Sequence, residues 1–290
     1  MARITTECLL IGRLPESPAL LRLARACEAA GLNVRRVDVA GALPARVDRP
    51  DTGPPPARFL RLPSGTPPQE LAALLATRDA ERGPPGVWLD APEHVARAQH
   101  KARQLACLAA AGLPVPPTLL VGRDGRVPEG ELPGEKLVLK PVFGAAGRGV
   151  EVALPRAEAL RRAADFARLS TPVLVQPWLG GGVDRRVFLV DGECVAGMER
   201  RPHAADGRGN AARGADTANW RPDDAQLELA RRAASALGLA IAGVDLLESD
   251  TGPVVLEVNA CPGFAALEAC SGVDVAGALA AALRRRVAPV

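Results

Sequence analysis

The chain has 290 residues, which is enough for two or three compact lobes of ordinary size. Hydrophobic residues make up 48% and charged residues 24%, a globular composition that excludes a disordered or fibrous chain. The 36 basic and 33 acidic residues are too balanced to indicate a nucleic acid or a membrane surface as the partner.

The first ninety residues are predicted to form an N-terminal α/β lobe. They open with a βαβ unit made of a strand at 7–12, a helix from Ser17 to Ala30 and a strand at 32–39. A loop rich in proline and glycine at 44–56, a strand at 58–62 and a helix at 69–77 follow. No glycine fingerprint follows the first strand, which argues against dinucleotide binding.

The middle of the chain has a different pattern. A helical run at 91–111 precedes strands at 118–121, 136–140, 150–153 and 173–176, with a glycine-rich turn at 144–149 and a helix at 156–167. This order predicts an antiparallel sheet with helices on one face. The last third is predicted to contain strands at 186–190 and 194–200, a polar loop at 202–219, a helix at 224–237 and a hairpin at 241–258.

The final hairpin places acidic residues among apolar ones. With its turn centred near residues 250 and 251, we expect Asp245 opposite Glu257, and Asn259 on the same face as Glu257. Two carboxylates and an amide oxygen so placed repel one another without a cation, and all-oxygen ligation suits Mg²⁺. The alternative is an edge hairpin whose acids are solvated.

Lys140 ends an apolar strand and precedes a glycine-rich turn that includes Gly147, Arg148 and Gly149. Such a turn lets backbone N–H groups approach phosphate oxygens closely. It is not a Walker loop, because the Gly-Lys-Ser/Thr ending is absent. A snorkelling lysine and a plain hairpin are the alternatives, and the predicted metal site favours phosphate binding over both.

Basic residues concentrate between 184 and 213. Guanidinium groups bind carboxylates and phosphates in a bidentate manner, and a reaction that builds an acyl phosphate needs such groups. A solvated basic loop is the alternative, and a nucleic-acid patch would need interleaved aromatic residues. The residues concerned are Arg185, Arg186, Arg200, Arg201, Arg208 and Arg213.

From about residue 91 to residue 286 the sequence resembles the ATP-grasp superfamily, and within it the RimK-type α-L-glutamate ligases. The segments that carry the resemblance are ARAQHKARQLACLAAAGLPVP, LVLKPVFGAAGRGV, LVQPWLGGGVDRRVFLVDGECVAGMERR, RGNAARG and AGVDLL…GPVVLEVNACPGFAALEACSGVDVAG. The resemblance implies an α/β fold of the α+β ATP-grasp type, in which ATP is held between antiparallel sheets. The implied domains are an N-terminal α/β lobe at 1–90, a central lobe at 91–177 and a C-terminal lobe with the metal site at 178–290.

The resemblance also implies roles for individual residues. Those expected to contact ATP are Lys101, Lys140, Gly147, Arg148, Gly149, Gln176, Pro177, Trp178, Leu179, Asp184, Arg208, Gly209 and Asn210. Those expected to hold Mg²⁺, or Mn²⁺ in its place, are Asp245, Glu257 and Asn259. Those expected to act in catalysis are Lys140, Arg186, Arg201 and Arg213.

Two positions depart from the family's pattern. The family usually has Gln-Glu-aromatic-Ile at the interlobe hinge, whereas this chain has Gln176-Pro177-Trp178-Leu179, so a glutamate side chain cannot contact adenine here. His100 stands where an acidic residue usually precedes Lys101. These changes bear on nucleotide affinity and acceptor choice rather than on the chemistry.

The implied function is an ATP-dependent ligase that forms an amide or peptide bond through an acyl phosphate. Glutamate is the expected amine, and a protein C-terminus or a small-molecule or cofactor carboxylate is the expected acceptor. A non-catalytic or regulatory ATP-binding module and an ATP-grasp phosphotransferase are the alternatives.

We expect a cytoplasmic protein without membrane or nucleic-acid partners, because the six cysteines form no CxxC pair and the first apolar stretch is too short for a membrane span. A homo-oligomer is compatible with this interpretation.

Overall fold

The computed structural model describes residues 7–12, 17–38, 57–62, 87–127, 132–144, 147–169, 172–202 and 216–287. Their strands form three sheets that follow one another along the chain. The predicted loop at 44–56 and the predicted helix at 69–77 lie outside these residues.

The first sheet is parallel, and its strands run in the order β2-β1-β3-β4. They are β1 (Glu7–Gly12), β2 (Asn33–Asp38), β3 (Ala57–Arg61) and β4 (Val87–Trp88). Helix α1 (Pro18–Ala29) joins β1 to β2; the Ser17 hydroxyl accepts a hydrogen bond from the Leu20 N–H, and Pro18 occupies the first turn. The predicted βαβ unit is confirmed.

The helical run predicted at 91–111 is two helices, α2 (Pro92–Gln99) and α3 (Lys101–Ala110). His100 lies between them with an extended backbone, and its Nδ1 accepts a hydrogen bond from the Arg103 N–H at 3.3 Å. The histidine therefore caps the second helix and interrupts the first. As a result, Lys101 stands at the very start of α3.

The second sheet is antiparallel, with the strand order β5-β8-β6-β7. The strands are β5 (Leu119–Val121), β6 (Lys136–Pro141), β7 (Glu151–Pro155) and β8 (Val173–Pro177). Helix α4 (Arg156–Leu169) packs on this sheet through Ala159, Ala163 and Ala167, which repeat every four residues and so share one face. The predicted antiparallel sheet with a helix on it is confirmed.

The third sheet is also antiparallel, in the order β11-β10-β9-β12-β13. The strands are β9 (Asp184–Val190), β10 (Glu193–Arg201), β11 (Asp216–Asn219), β12 (Ile241–Ser249) and β13 (Gly252–Asn259). The prediction of a loop throughout 202–219 is wrong at 216–219, where β11 pairs with the end of β10. The polar composition misled because β11 is an edge strand with mostly exposed side chains.

Both faces of the third sheet are packed against other elements. Val187 and Leu189 of β9 pack with α5 (Asp224–Leu237), whereas Phe188 and Val190 pack with α7 (Val275–Val287). A short helix, α6 (Ala265–Ser271), precedes α7, and residues of β1 enter both cores. Among the described helices none alone is long and apolar enough to span a membrane; α6 and α7 reach that size only as a pair bent by 115°.

Gly243 of β12 provides a test of this packing. An added Cβ would lie 2.7 Å from the Pro262 Cβ and 3.4 Å from the Arg186 Nε. We expect Gly243→Ala to lower the free energy of unfolding by about 1–3 kcal/mol, the usual cost of overpacking, in urea titrations. Gly263→Ala is the matched control, because nothing lies within 4 Å of its added Cβ, and it should cost less than about 0.5 kcal/mol. Equal losses in the two variants would contradict this account.

Candidate functional site

Three neighbouring strands of the third sheet place charged side chains side by side. Asp245 of β12 is paired with Arg186 of β9 on one side and with Glu257 of β13 on the other. The predicted opposition of Asp245 and Glu257 is confirmed, and Asn259 lies opposite Gly243, two residues before Asp245.

A β-bulge, rather than the turn, produces this opposition. The hairpin begins with Ser249 paired to Gly252, and that register continued without change would place Leu256 opposite Asp245. The register shifts between Asp245 and Leu246, so Glu257 takes that place instead. A bulge inserts one residue into a strand and turns the following side chains to the other face. The bulge therefore brings Glu257 to the face of Asp245.

The buried carboxylate of Asp245 accepts hydrogen bonds from three side chains. Arg186 donates through Nε to Oδ1 and through Nη2 to Oδ2, each at 2.7 Å. Arg200 Nη2 lies 2.9 Å from Oδ2, and Asn259 Nδ2 donates to the same oxygen at 3.2 Å. Burial by itself raises the pKa of Asp245, but the two guanidinium groups outweigh it and lower that pKa to about 2.

Arg200 joins Asp245 to a second buried acid, Asp184. Its Nε donates to Asp184 Oδ1, and the two residues face each other directly on β10 and β9. Burial raises the pKa of Asp184 to about 7, although Arg200 acts in the opposite direction. Asp184 was expected to contact the nucleotide, and in this structure its carboxylate is engaged by Arg200.

The structure brings Arg200 to this cluster and leaves Arg201 outside it. Arg201 lies on the other face of β10, where it forms a 2.6 Å ion pair with Glu199 and is largely exposed. Strict alternation from Cys194 would have turned Arg201 towards the acids, but the strand has an irregular register between Cys194 and Ala196. This bulge reverses the faces of the residues that follow and so places Arg201 apart from the acids, while its expected part in catalysis stays a prediction.

Lys101 reaches the third sheet from the first turn of α3. Its Nζ donates to Glu257 Oε1 at 2.7 Å and to the Gly144 carbonyl at 3.4 Å. Burial acts to raise the pKa of Glu257, but the Lys101 ammonium lowers it below its usual value. Lys101 thus joins the acidic hairpin to the start of the glycine-rich turn.

Lys140 is held by a neutral partner. Its Nζ donates to Gln176 Oε1 at 2.7 Å, and Gln176 Nε2 donates to the Thr118 hydroxyl at 2.9 Å. Burial lowers the pKa of Lys140 to about 8, and the charge of Glu257 is the largest influence in the opposite direction. The amide oxygen has no net charge, so it does not neutralise the ammonium. A buried ammonium with such a partner can still pair with an anion.

The predicted glycine-rich turn is described at residues 147–149. Gly147 and Gly149 have φ angles of +67° and +71°, which side chains with a Cβ rarely adopt. A Cβ on Gly149 would also lie 2.9 Å from Pro141 Cγ. Arg148 between them is exposed, so its side chain is available to a ligand.

The predicted hinge follows the second sheet directly. Pro177 is buried at the end of β8, and the Trp178 N–H donates to the Lys136 carbonyl at 2.9 Å. Trp178 and Leu179 are half-buried and lead to a turn at Gly180–Gly182. The hinge lies between the second and third sheets. Residues that contact a base held between these two sheets would need to lie at this place.

Four predicted site residues lie outside the described part of the chain: Arg208, Gly209, Asn210 and Arg213. Sequence reasoning also missed two contacts that the structure provides. Thr118 orients Gln176, and Gln104 of α3 contacts the backbone of β13. Both are ordinary polar residues in the sequence, so no local pattern marks them.

Among the residues that the structure describes, this cluster contains more cations than carboxylates. Its carboxylates are Asp184, Asp245 and Glu257, and its cations are Lys101, Lys140, Arg186 and Arg200. Buried charge is costly unless it is neutralised. The surplus cation therefore favours an anionic ligand over a neutral one.

The predicted metal ligands offer part of a coordination shell. The Asp245 oxygens already accept four hydrogen bonds, whereas Glu257 Oε2 and Asn259 Oδ1 accept none from the described residues. In that part of the chain, no three His, Cys, Asp or Glu residues are grouped so that they could hold a metal ion. Mg²⁺ usually takes one or two protein carboxylates and completes its shell with phosphate and water oxygens. The two available oxygens fit this requirement if a phosphate supplies others.

Comparison with known proteins identifies a family and related sequences. The model of the RimK-like ATP-grasp domain matches residues 98–283. A protein of Mannheimia succiniciproducens named "Probable alpha-L-glutamate ligase" is 35% identical over 227 residues, covering 77% of this chain and 75% of that protein. The "Ribosomal protein bS6--L-glutamate ligase" of Escherichia fergusonii is 35% identical over 199 residues, covering 67% of this chain and 66% of that protein.

Solved structures show the same fold at lower identity. The ATP-grasp ligase PsnB in complex with a minimal precursor has a TM-score of 0.71 at 22% identity, covering 98% of this chain and 100% of that one. A RimK domain ATP-grasp protein from Sphaerobacter thermophilus has a TM-score of 0.67 at 22% identity, covering 96% and 98%. The similarity extends through the N-terminal sheet, which the family model does not include.

The buried charges of this cluster should make Asp245 important for stability. Asp245→Asn leaves Arg186 and Arg200 without their shared carboxylate, so we expect a loss of about 3–5 kcal/mol in the free energy of unfolding. Asp165→Asn is the control, since this exposed residue pairs with Arg161 and Arg168 on the surface of α4 and should cost less than about 1 kcal/mol. Denaturant unfolding measures both; similar small losses would show that the buried pairs contribute little.

Proposed function

The chain belongs to the RimK-like ATP-grasp family, and on this basis we propose that it is an ATP-dependent ligase that joins a carboxylate to an amine. The observation that supports this proposal is the convergence of Lys101 and Lys140 on the charged residues of the third sheet. Their charges exceed what the nearby carboxylates neutralise, as a site for nucleotide phosphates requires.

We propose that ATP lies between the second and third sheets. Lys101 and Lys140 would neutralise its phosphates, and the backbone of the Gly147–Gly149 turn would close over them. Residues 176–179 would contact the adenine, through the backbone where Pro177 replaces the usual glutamate. Residues 208–210 and Asp184 remain proposed nucleotide contacts.

Glu257 and Asn259 would hold Mg²⁺ through the oxygens that the described residues leave available. When bound, the metal would offset the charge of the phosphate oxygens. Asp245 would join as a ligand only after Arg186 and Arg200 release part of its carboxylate. A transferring phosphoryl group is an anion that these two arginines could bind instead, so the exchange keeps each charge paired.

In the proposed reaction, a substrate carboxylate oxygen attacks the γ-phosphorus of ATP, and ADP leaves. The amine nitrogen of the second substrate then attacks the acyl carbon, loses a proton and displaces phosphate, which forms the amide. Arg186 and Arg200, together with Arg213, would hold the phosphoryl and carboxylate groups in line. The protein's contribution is therefore positioning and electrostatic stabilisation.

Among possible substrates we propose L-glutamate as the amine. Two relatives at 35% identity have names that specify a glutamate ligase, and one of these names includes a ribosomal protein. We propose a protein C-terminus or a small-molecule or cofactor carboxylate as the acceptor. A cytoplasmic location is proposed from the scattered cysteines.

The ligase proposal predicts that ADP formation requires both substrates. With ATP, Mg²⁺ and L-glutamate, adding the correct acceptor from a pool should release ADP and increase the acceptor mass by one glutamyl residue. Glu257→Gln should reduce turnover most at limiting Mg²⁺, by about 10-fold or more, whereas Glu158→Gln on the surface of α4 should not. ADP release that needs no amine would instead indicate a phosphotransferase.

The pKa of Lys140 gives a second prediction. Between pH about 8 and the usual value of 10.5, the unfolded chain binds this proton and the folded chain has released it, so stability rises with pH in that window. A bound phosphate favours the ammonium form and raises the pKa. At a pH about half a unit above the free-state pKa, binding of a non-hydrolysable ATP analogue should therefore take up protons.

Calorimetry in two buffers of different ionisation enthalpy measures this uptake. Lys140→Met should remove it and weaken binding, whereas Lys136→Met, an exposed position on the same strand, should leave it unchanged. Persistent uptake in Lys140→Met would assign the proton to another group.

A further inference from the structure

The side chain of Gln104 takes the place of a neighbouring strand at one edge of the third sheet. β13 is an edge strand, and its outer side at Val258 faces α3. The Val258 N–H donates to Gln104 Oε1 at 2.8 Å, and Gln104 Nε2 donates to the Val258 carbonyl at 2.7 Å. One amide side chain thus satisfies both backbone groups, as a paired strand residue would.

This contact is fully buried, and the glutamine side chain has a further partner. Gln104 is 1% exposed, and its Nε2 also donates to the Ala98 carbonyl at the end of α2. A buried amide without these partners would cost about 1–3 kcal/mol for each unsatisfied group. The glutamine is therefore held in one orientation from three directions.

Val258 lies between the two residues with oxygens available to a cation. Glu257 precedes it and Asn259 follows it, and both side chains point to the opposite face from Val258. Peptide groups are planar, so fixing the N–H and C=O of Val258 fixes the two peptide planes that flank it. Those planes determine the directions of the Glu257 and Asn259 side chains.

The same helix positions the lysine that pairs with this hairpin. Lys101 and Gln104 are three residues apart on α3, so they lie on one side of the helix, one turn apart. Lys101 pairs with Glu257 while Gln104 pairs with the next residue, Val258. The two contacts together fix the position of α3 along β13 and its rotation about its own axis.

We infer that Gln104 is a positioning residue, which holds Glu257 and Asn259 at the spacing that a phosphate-bound divalent cation needs. The inference rests on the proposed function, because it concerns the same site. Gln104 does not itself contact the cation or the nucleotide; it acts through the backbone of Val258. Groups that orient metal ligands in this indirect way typically change metal affinity by about 10–100-fold.

Gln104→Met tests the inference, since methionine has a similar length and no hydrogen-bonding amide. The first readout is binding: Mn²⁺ is titrated into protein with a non-hydrolysable ATP analogue, and free Mn²⁺ is followed by electron paramagnetic resonance. We expect about 10-fold weaker Mn²⁺ binding than in the wild type. The second readout is kinetic: the Mg²⁺ concentration for half-maximal turnover should rise, while kcat at saturating Mg²⁺ is largely retained.

Gln226→Met is the matched control. Gln226 is also a buried glutamine that bonds to backbone, where it completes the capping box of α5 with Asp223. It should lower stability without changing Mn²⁺ affinity. If both variants weaken Mn²⁺ binding equally, the effect is general destabilisation and the inference is wrong.

Gln104→Glu covers the case in which the methionine variant does not fold. Burial favours the neutral form of this glutamate, which still accepts from the Val258 N–H but has one O–H donor for the two carbonyls that Gln104 binds, so we expect a smaller loss of Mn²⁺ affinity. Wild-type affinity in either folded variant would overturn the inference and leave the proposed function intact. Absence of Mn²⁺ binding in the wild type with the ATP analogue would instead count against the proposed function.

Discussion

The buried carboxylate of Asp245, shared by Arg186 and Arg200, is the interaction on which the site depends. A charge removed from water costs several kcal/mol unless partners with good geometry neutralise it. The partners here come from separate strands, β9 and β10, and Asn259 of β13 adds a further hydrogen bond. The charge pairing is therefore satisfied only when four strands have one particular register.

The hydrophobic core sustains that register. On β9, alternate residues enter two different cores, so a slip by one residue would move each set into the core that fits the other. The charged residues occupy the end of the face that Phe188 and Val190 share with α7. The sheet thus provides a rigid base for the polar cluster, and elements from the middle of the chain add Lys101 and Lys140 to it.

The same pairing that stabilises the cluster would have to change when ligands bind. The Asp245 oxygens are occupied by guanidinium groups, which are also groups suited to phosphate. An incoming anion would allow the arginines to exchange partners without leaving a charge unpaired. A site built in this way is stable without ligand and still has charged groups available for the reaction.

Local sequence patterns were sufficient for much of the architecture. Ser17 and Pro18 mark the first helix, alternation marks the strands, and the hairpin acids indicate a polar site, because caps, turns and periodicity depend on near neighbours in the chain. The sequence predicts the two helices on either side of His100 as one helix, since the histidine's capping role appears only from its backbone geometry.

Two β-bulges decide which of the charged residues meet. One, between Cys194 and Ala196, turns Arg200 rather than Arg201 to the acids, and the other brings Glu257 opposite Asp245. Each inserts one residue, which reverses the inward and outward positions of every residue beyond it. Residue spacing alone therefore determined that charged groups gather on this sheet. The pairing between strands distant in sequence determined which of those groups meet, because a bulge is a property of two strands together.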